Sequence, residues 1–231
     1  INQNRFSYES IKKRKLKFIN KEVNYVDSEK KIIKFSDNES IKYDWLVVST
    51  GVDYKWDEIL GYNQVVNTSV PHGWNGKDAL KIYKKVKSLT NNAVILISAP
   101  EYPYKCPPAP YERASLIAHF LKKKGLGFKI FILDNKDSFT KQDLFFNAWK
   151  RLYPNSIEWI SRKNGGKVKE LDLKNKVLVT EGGQKFKGNL INIIPNQKAS
   201  NILLQKEKTF DDWIEVNPKT FEIKGHKFVH A

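Results

Sequence analysis

Residues 93–134 read AVILISAPEYPYKCPPAPYERASLIAHFLKKKGLGFKIFILD and contain the pattern that decides the fold. They begin with an apolar run of strand length, and residues 129–133 (KIFIL) form a second such run. Between the two runs, residues 111–124 place apolar side chains at helical spacing and end in lysines followed by glycine, which is typical of a helix terminus. The apolar positions are Leu116, Ile117, Phe120 and Leu121. This order predicts a βαβ unit with parallel strands.

An internal repeat flanks this unit. Residues 23–51 align without a gap to residues 168–196, at an offset of 145 residues. Each copy reads as three short strands separated by turns, followed by an apolar run at residues 45–49 or 190–194. We therefore expect a three-stranded β-meander in each copy, followed by a strand that is covered on both faces.

Two further stretches, residues 77–88 and 142–151, predict helices. Together these patterns predict an α/β protein of two Rossmann-like three-layer lobes with β-meanders, the second lobe inserted in the first. The predicted division assigns residues 1–70 and 189–231 to the first lobe and residues 71–188 to the second.

The turn after the first strand of the βαβ unit separates this chain from an ordinary dinucleotide-binding protein. Such proteins have a glycine-rich turn there, so that the backbone can approach a pyrophosphate. Residues 99–110 contain several prolines and no glycine. The second lobe is therefore predicted to be an NAD-type unit that has lost its glycine loop, and Asp134 to be an ordinary strand-end residue rather than a ribose ligand.

Cys106 stands in that turn and is the only cysteine of the sequence. It precedes a predicted helix N-terminus and follows Lys105, and both place positive charge beside the sulfur, as suits a nucleophile. Glu112, in the first helical turn, is a candidate proton acceptor. The alternative interpretation is that Cys106 is a small loop residue and Glu112 a surface carboxylate that the helix dipole stabilises.

The composition excludes several classes of protein. A hydrophobic content of 40% over 231 residues is that of a globular protein. The net charge of +16 comes mainly from lysines spread along the chain, so we predict no nucleic-acid partner. One cysteine excludes an internal disulfide, and the four histidines do not cluster, so no metal site is predicted. No apolar run approaches the roughly 20 residues of a transmembrane helix.

The string CPPAPYERA at residues 106–114 resembles the flavoprotein subunit of flavocytochrome c sulfide dehydrogenase. Supporting matches cover essentially the whole chain in order, among them YDWLVVSTG at residues 43–51, WKRLYP at residues 149–154 and IPNQKA at residues 194–199. That family belongs to the two-dinucleotide-fold flavoproteins, in agreement with the repeat. Ala109 and Asn196 depart from the family pattern, which usually has glycine and proline at these positions.

The resemblance implies FAD-dependent oxidation of sulfide at a pair of cysteines. Electrons would then pass through the flavin to haem c on a cytochrome c subunit, in the periplasm. Cys106 would be one of the redox cysteines and Glu112 the acid/base. The residues that the resemblance places along the FAD are Thr50, Gly51, Pro195, Gln197 and Lys198.

The same resemblance predicts an internal fragment with an incomplete FAD lobe. The glycine-rich FAD loop and the cysteine that covalently holds the flavin are expected upstream of Ile1, and the second redox cysteine downstream of Ala231. The segment alone is expected to bind FAD poorly and to be inactive. Two alternatives stay open: a sulfide:quinone oxidoreductase-type flavoprotein, and a non-catalytic binding module that retains the fold.

Overall fold

The computed structural model describes residues 16–200 and 212–231, together with residues 8, 14 and 202. The chain divides into two compact units. The first unit runs to Asp53 and resumes over Lys198–Ala231, and the second covers Tyr54–Gln197. The insertion of one unit in the other is thus confirmed. The division into cofactor lobes at residues 70 and 188 stays a prediction, because it rests on family likeness rather than on compactness.

The repeat predicted from the sequence is confirmed as a pair of β-meanders with the same register. The first contains β1 (Val23–Asp27), β2 (Ile32–Phe35) and β3 (Ser40–Lys42). The second contains β9 (Val168–Asp172), β10 (Val177–Thr180) and β11 (Lys185–Lys187). Asp27 lies opposite Ile32 in the first meander, and the residues 145 positions later, Asp172 and Val177, lie opposite each other in the second.

The first unit also contains β4 (Leu46–Val47), which pairs in parallel with β14 (Val229–His230). The prediction that residues 45–49 form a strand covered on both faces is wrong for the described residues. This strand has only two residues, and Trp45 and Val47 are 65% and 72% exposed. The physical reason is that its sheet has two short strands in the described part of the chain, too small to cover either face.

The second unit is built on a four-stranded parallel sheet with the order β12-β6-β7-β8. The strands are β6 (Ala93–Ala99), β7 (Phe128–Asp134), β8 (Ile157–Ile160) and β12 (Leu190–Ile193). The helices are α1 (Gly76–Lys87), α2 (Ala109–Lys123) and α3 (Gln142–Leu152). The predicted βαβ unit and its flanking helices are confirmed, with ends displaced by at most two residues. The strands β5 (Val52–Tyr54) and β13 (Gln197–Ala199) form a separate two-stranded sheet.

Alternating residues of the central strands divide the second unit into three layers. On one face of the sheet, Ile95 and Ile97 pack with the apolar sides of the three helices. On the other face, Leu96 packs with Leu171 and Leu178 of the second meander. Both cores leave the carboxyl ends of β6, β7 and β12 at one edge, where ligand crevices form in α/β sheets. None of the helices described is both long and apolar enough to cross a membrane.

Candidate active site

The cysteine loop, defined as residues 99–108, leads from the end of β6 to the start of α2. Cys106 is exposed in this loop, and its backbone has a φ of 59°. A residue other than glycine pays about 1–2 kcal/mol to adopt this left-handed conformation, so the surrounding structure must hold it there. The loop therefore presents the thiol to solvent in a conformation that the chain would not adopt unaided.

The backbone beside the cysteine is held on both sides. The Lys105 N–H donates to Oε1 of Gln197 at 2.8 Å, and the Lys105 carbonyl accepts from Nε1 of Trp74 at 3.1 Å. Within the loop, the Tyr104 hydroxyl donates to the Pro107 carbonyl at 2.6 Å. Two segments distant in sequence thus fix the residue that precedes Cys106.

A buried ion pair supports the start of the loop. Asp134, at the end of β7, is fully buried and lies 2.6 Å from Nζ of Lys136, which also donates to the Pro100 carbonyl. The other oxygen of Asp134 accepts from the Tyr111 hydroxyl at 2.6 Å and from Nε1 of Trp159 at 2.7 Å. Burial lowers the pKa of Lys136, and the charge of Asp134 opposes that shift.

The prediction that Asp134 is an ordinary strand-end residue misses this role. The only local signal is an acid and a lysine two residues apart at the end of a buried strand.

The rings of the loop surround the same ammonium group. Nζ of Lys136 lies 5.3 Å from the ring centre of Tyr102 and 4.9 Å from that of Tyr104. Cation–π contacts of this length stabilise a charge that burial has removed from water. The cysteine loop is thus packed over a paired charge rather than over an open phosphate site.

A second buried polar cluster fixes Trp74. Nδ1 of His72 accepts from the Trp74 N–H at 3.0 Å, and its Nε2 lies 3.0 Å from Asp78 Oδ2. These contacts place the proton of the neutral imidazole on Nε2. The Arg113 guanidinium lies 4.8 Å from the centre of the Trp74 ring and donates to the carbonyls of His72 and Gly73 at 2.7 Å each. His72 therefore has a structural role.

This cluster predicts a loss of stability in mild acid. Burial lowers the pKa of His72 below its ordinary value of 6.5; Asp78 opposes that shift, and the positive charges of Arg113 and Lys81 add to it. The unfolded chain then binds more protons than the folded one, so the free energy of unfolding falls as pH drops below about 6.5, by at most about 1.4 kcal/mol per pH unit. Urea unfolding between pH 7 and 5 measures this slope.

Two variants, His72→Gln and His119→Gln, test whether His72 causes this pH dependence of the free energy of unfolding. We expect the first to flatten the pH dependence and the second, at an exposed helix position, to leave it unchanged. Equal slopes in all three proteins would assign the acid sensitivity to other groups.

The remaining predicted site residues lie in both units. Thr50 and Gly51 follow β4 and are exposed, and a Cβ built on Gly51 would meet nothing within 4 Å. Pro195 is buried after β12, and Lys198 lies in β13. Glu112 is exposed in the first turn of α2, and no side-chain hydrogen bond joins it to another described residue. Of the predicted residues, the structure links Cys106 and Gln197, through Lys105.

Gln197 offers a direct test of whether these residues suit a flavin. It is 2% exposed, and its Nε2 has no hydrogen-bond partner within the described residues. A flavin presents carbonyl oxygens and ring nitrogens that accept hydrogen bonds. A buried unpaired donor on Gln197 therefore fits the group that the resemblance implies. The described residues contain no cluster of acids, histidines and cysteine that could hold a metal ion.

Asn196 connects Glu101 of the cysteine loop to Glu58. Its Oδ1 accepts from the Glu101 N–H at 2.9 Å, and its Nδ2 donates to Glu58 at 2.6 Å and to Glu101 Oε1 at 3.1 Å. These residues border a polar cleft of about 320 Å³. A proline, which the family usually has at this position, would make none of these bonds.

Residues 79–195 match the family model for the central part of the sulfide dehydrogenase (flavocytochrome c) flavoprotein chain. The chain belongs to this family. Its members are flavin-dependent oxidoreductases that oxidise sulfide, so FAD is the cofactor that the family implies. The residues matched include the cysteine loop and the whole βαβ unit.

The chain is also similar to other known proteins in sequence or in fold. The mitochondrial sulfide:quinone oxidoreductase of Dictyostelium discoideum is 30% identical over 103 residues, which are 44% of this chain and 23% of that protein. The sulfide:quinone oxidoreductase of Aquifex aeolicus has the same fold, with a TM-score of 0.74 and 18% identity over 95% of this chain and 52% of that one. The NAD-dependent persulfide reductase of A. fulgidus also shares the fold, with a TM-score of 0.62 and 14% identity over 90% of this chain and 37% of that one. The chain thus spans about half or less of the length of these relatives.

Proposed function

We propose that this chain forms the central part of a flavoprotein that oxidises sulfide at Cys106 and passes the electrons to a cytochrome c subunit. The observation that carries the proposal is the exposed Cys106 in a left-handed conformation, held by bonds to its neighbour, in a family of sulfide-oxidising flavoproteins. By the resemblance, the natural protein would hold FAD through Thr50, Gly51, Pro195, Gln197 and Lys198.

In the proposed resting state, a second cysteine of the natural protein is disulfide-bonded to Cys106. Sulfide attacks that disulfide, a new S–S bond forms as the old one breaks, and the leaving sulfur departs as a thiolate. Sulfide sulfur loses two electrons on becoming zero-valent, and the cleaved disulfide takes them up as the released thiolate. Re-formation of an S–S bond to that thiolate would release the two electrons, and the flavin that the family implies would supply the acceptor for them. Glu112 takes up the proton that the sulfide loses, and the cysteine loop holds Cys106 in position for the exchange.

A flavin-bleaching assay on the natural protein tests this proposal. We expect anaerobic sulfide to bleach the flavin and a c-type cytochrome to restore its absorption. A flavin that sulfide does not reduce would contradict the enzyme and favour the binding module. Cell fractionation tests the periplasmic location that we propose on the same resemblance.

A quinone acceptor is the second candidate, since the sulfide:quinone oxidoreductases of D. discoideum and A. aeolicus resemble this chain. Stopped-flow reoxidation decides between the two acceptors. Reoxidation by a soluble quinone at least about tenfold faster than by cytochrome c would replace our proposal with this one.

The proposed proton acceptor gives a further prediction. We expect Glu112→Gln to slow sulfide-dependent flavin reduction by about 10²-fold, because a neutral amide cannot take up the proton. Asp143→Asn is the matched control, since Asp143 occupies the first turn of α3 as Glu112 occupies that of α2. Stopped-flow bleaching measures both variants. Equal rates in Glu112→Gln and the wild type would remove Glu112 from the mechanism.

A further inference from the structure

Within the described residues, only the oxygen of the Gln197 side-chain amide has a hydrogen-bond partner. Its oxygen accepts the Lys105 N–H at 2.8 Å, and because only an oxygen can accept this proton, the bond also identifies which end of the amide is Nε2. That Nε2 group is buried and has no partner in the described part of the chain. A buried donor without a partner costs about 1–3 kcal/mol, so a ligand atom that accepts from it is bound more tightly.

The Lys105 backbone makes this amide relevant to the thiol. Gln197 and Lys105 are 92 residues apart in sequence, so the bond fixes the loop from outside. Trp74 holds the carbonyl of the same residue, but its indole has a single N–H, which this bond uses. Of the two side chains that hydrogen-bond the Lys105 backbone, only Gln197 therefore has a donor left for a ligand.

We propose that Gln197 is a positioning residue that couples bound flavin to the Cys106 thiol. Its oxygen holds the backbone beside the cysteine, and its nitrogen donates to an acceptor atom of the flavin. The inference rests on the proposed function, which supplies the flavin. Because one rigid amide plane carries both bonds, ordering either side orders the other, and the coupling acts in both directions.

Hydrogen exchange at the Lys105 amide tests the coupling directly. The natural protein is compared in its flavin-loaded form and in a flavin-free form obtained by riboflavin limitation. In the wild type we expect flavin to slow this exchange by at least about threefold, since flavin binding orders the amide that holds Lys105. In Gln197→Leu we expect exchange about tenfold faster than in the wild type, because the acceptor is gone, and equal in the two forms.

The variant Gln197→Glu separates the two halves of the amide. An ionised carboxylate still accepts from Lys105 but has no N–H to donate. We expect its flavin-free exchange to be no faster than that of the wild type, while the slowing by flavin disappears and the visible absorption band of the flavin shifts. Gln184→Ala, at an exposed position of the same unit, is the control and should match the wild type.

Two results would overturn the proposal. Unchanged Lys105 exchange in Gln197→Leu would show that Gln197 does not hold the loop. Retained slowing by flavin in Gln197→Glu would show that Nε2 does not reach the flavin. If the coupling is present but sulfide does not reduce the flavin, the proposed function is refuted and this inference stands.

Discussion

Cys106→Ser is expected to slow sulfide-dependent flavin reduction by roughly 10³-fold or more, the scale of losing a residue that takes part in bond making and breaking. A hydroxyl cannot form the sulfur–sulfur bond through which sulfide loses its electrons, so no slower version of the same route remains. The substitution changes one atom at an exposed position. We therefore expect flavin content and thermal stability to stay near those of the wild type. Anaerobic stopped-flow spectroscopy of the natural protein with sulfide measures the effect.

Dithionite supplies the control for this variant. It delivers electrons to the flavin without a thiol, so we expect it to bleach Cys106→Ser and the wild type alike, and the acceptor to reoxidise both at the same rate. A loss confined to the sulfide step assigns Cys106 to that step. If sulfide bleaches Cys106→Ser at a rate within about tenfold of that of the wild type, Cys106 is instead the small loop residue of the alternative interpretation.

The fold follows from patterns that lie within short stretches of the sequence. The βαβ unit is visible because its strands and α2 carry their apolar residues at the spacing of their own secondary structure. The meanders are visible because residues 23–51 repeat as residues 168–196. In the structure, the pairing of Asp27 with Ile32 recurs 145 residues later as the pairing of Asp172 with Val177. The prediction for residues 45–49 is wrong for the converse reason. Whether a strand is buried depends on what covers it and not on its own composition.

The site is only partly visible in the sequence. Cys106 and Glu112 stand out because residue type and position next to a helix suffice to select them. The bonds that hold the cysteine loop join Lys105 to Trp74 and Gln197, which lie 31 and 92 residues away. No local periodicity encodes such pairs. The resemblance singles out Gln197 for the flavin, but its bond to the loop requires the folded chain.

Asp134→Ala is expected to be the most destabilising of the substitutions considered, by about 3–5 kcal/mol of unfolding free energy. It leaves the buried Lys136 without its counter-charge and removes the acceptor of Tyr111 and Trp159. Urea unfolding of the variant at pH 7 measures the loss. Asp57→Ala, at an exposed position of the same unit, is the control and should stay within about 0.5 kcal/mol of the wild type.

The pH dependence of this loss identifies its cause. Burial already lowers the pKa of Lys136 below 10.5, and without Asp134 nothing of comparable strength opposes that shift. The unfolded chain then binds more protons than the folded one below pH 10.5, so the stability of Asp134→Ala should rise from pH 7 to 10 relative to the wild type. Adding Lys136→Met should recover part of the loss at pH 7, because it removes the unpaired charge. If the double variant is no more stable than Asp134→Ala, the lost hydrogen bonds of Tyr111 and Trp159 account for the whole effect, and Lys136 holds the loop without needing its charge.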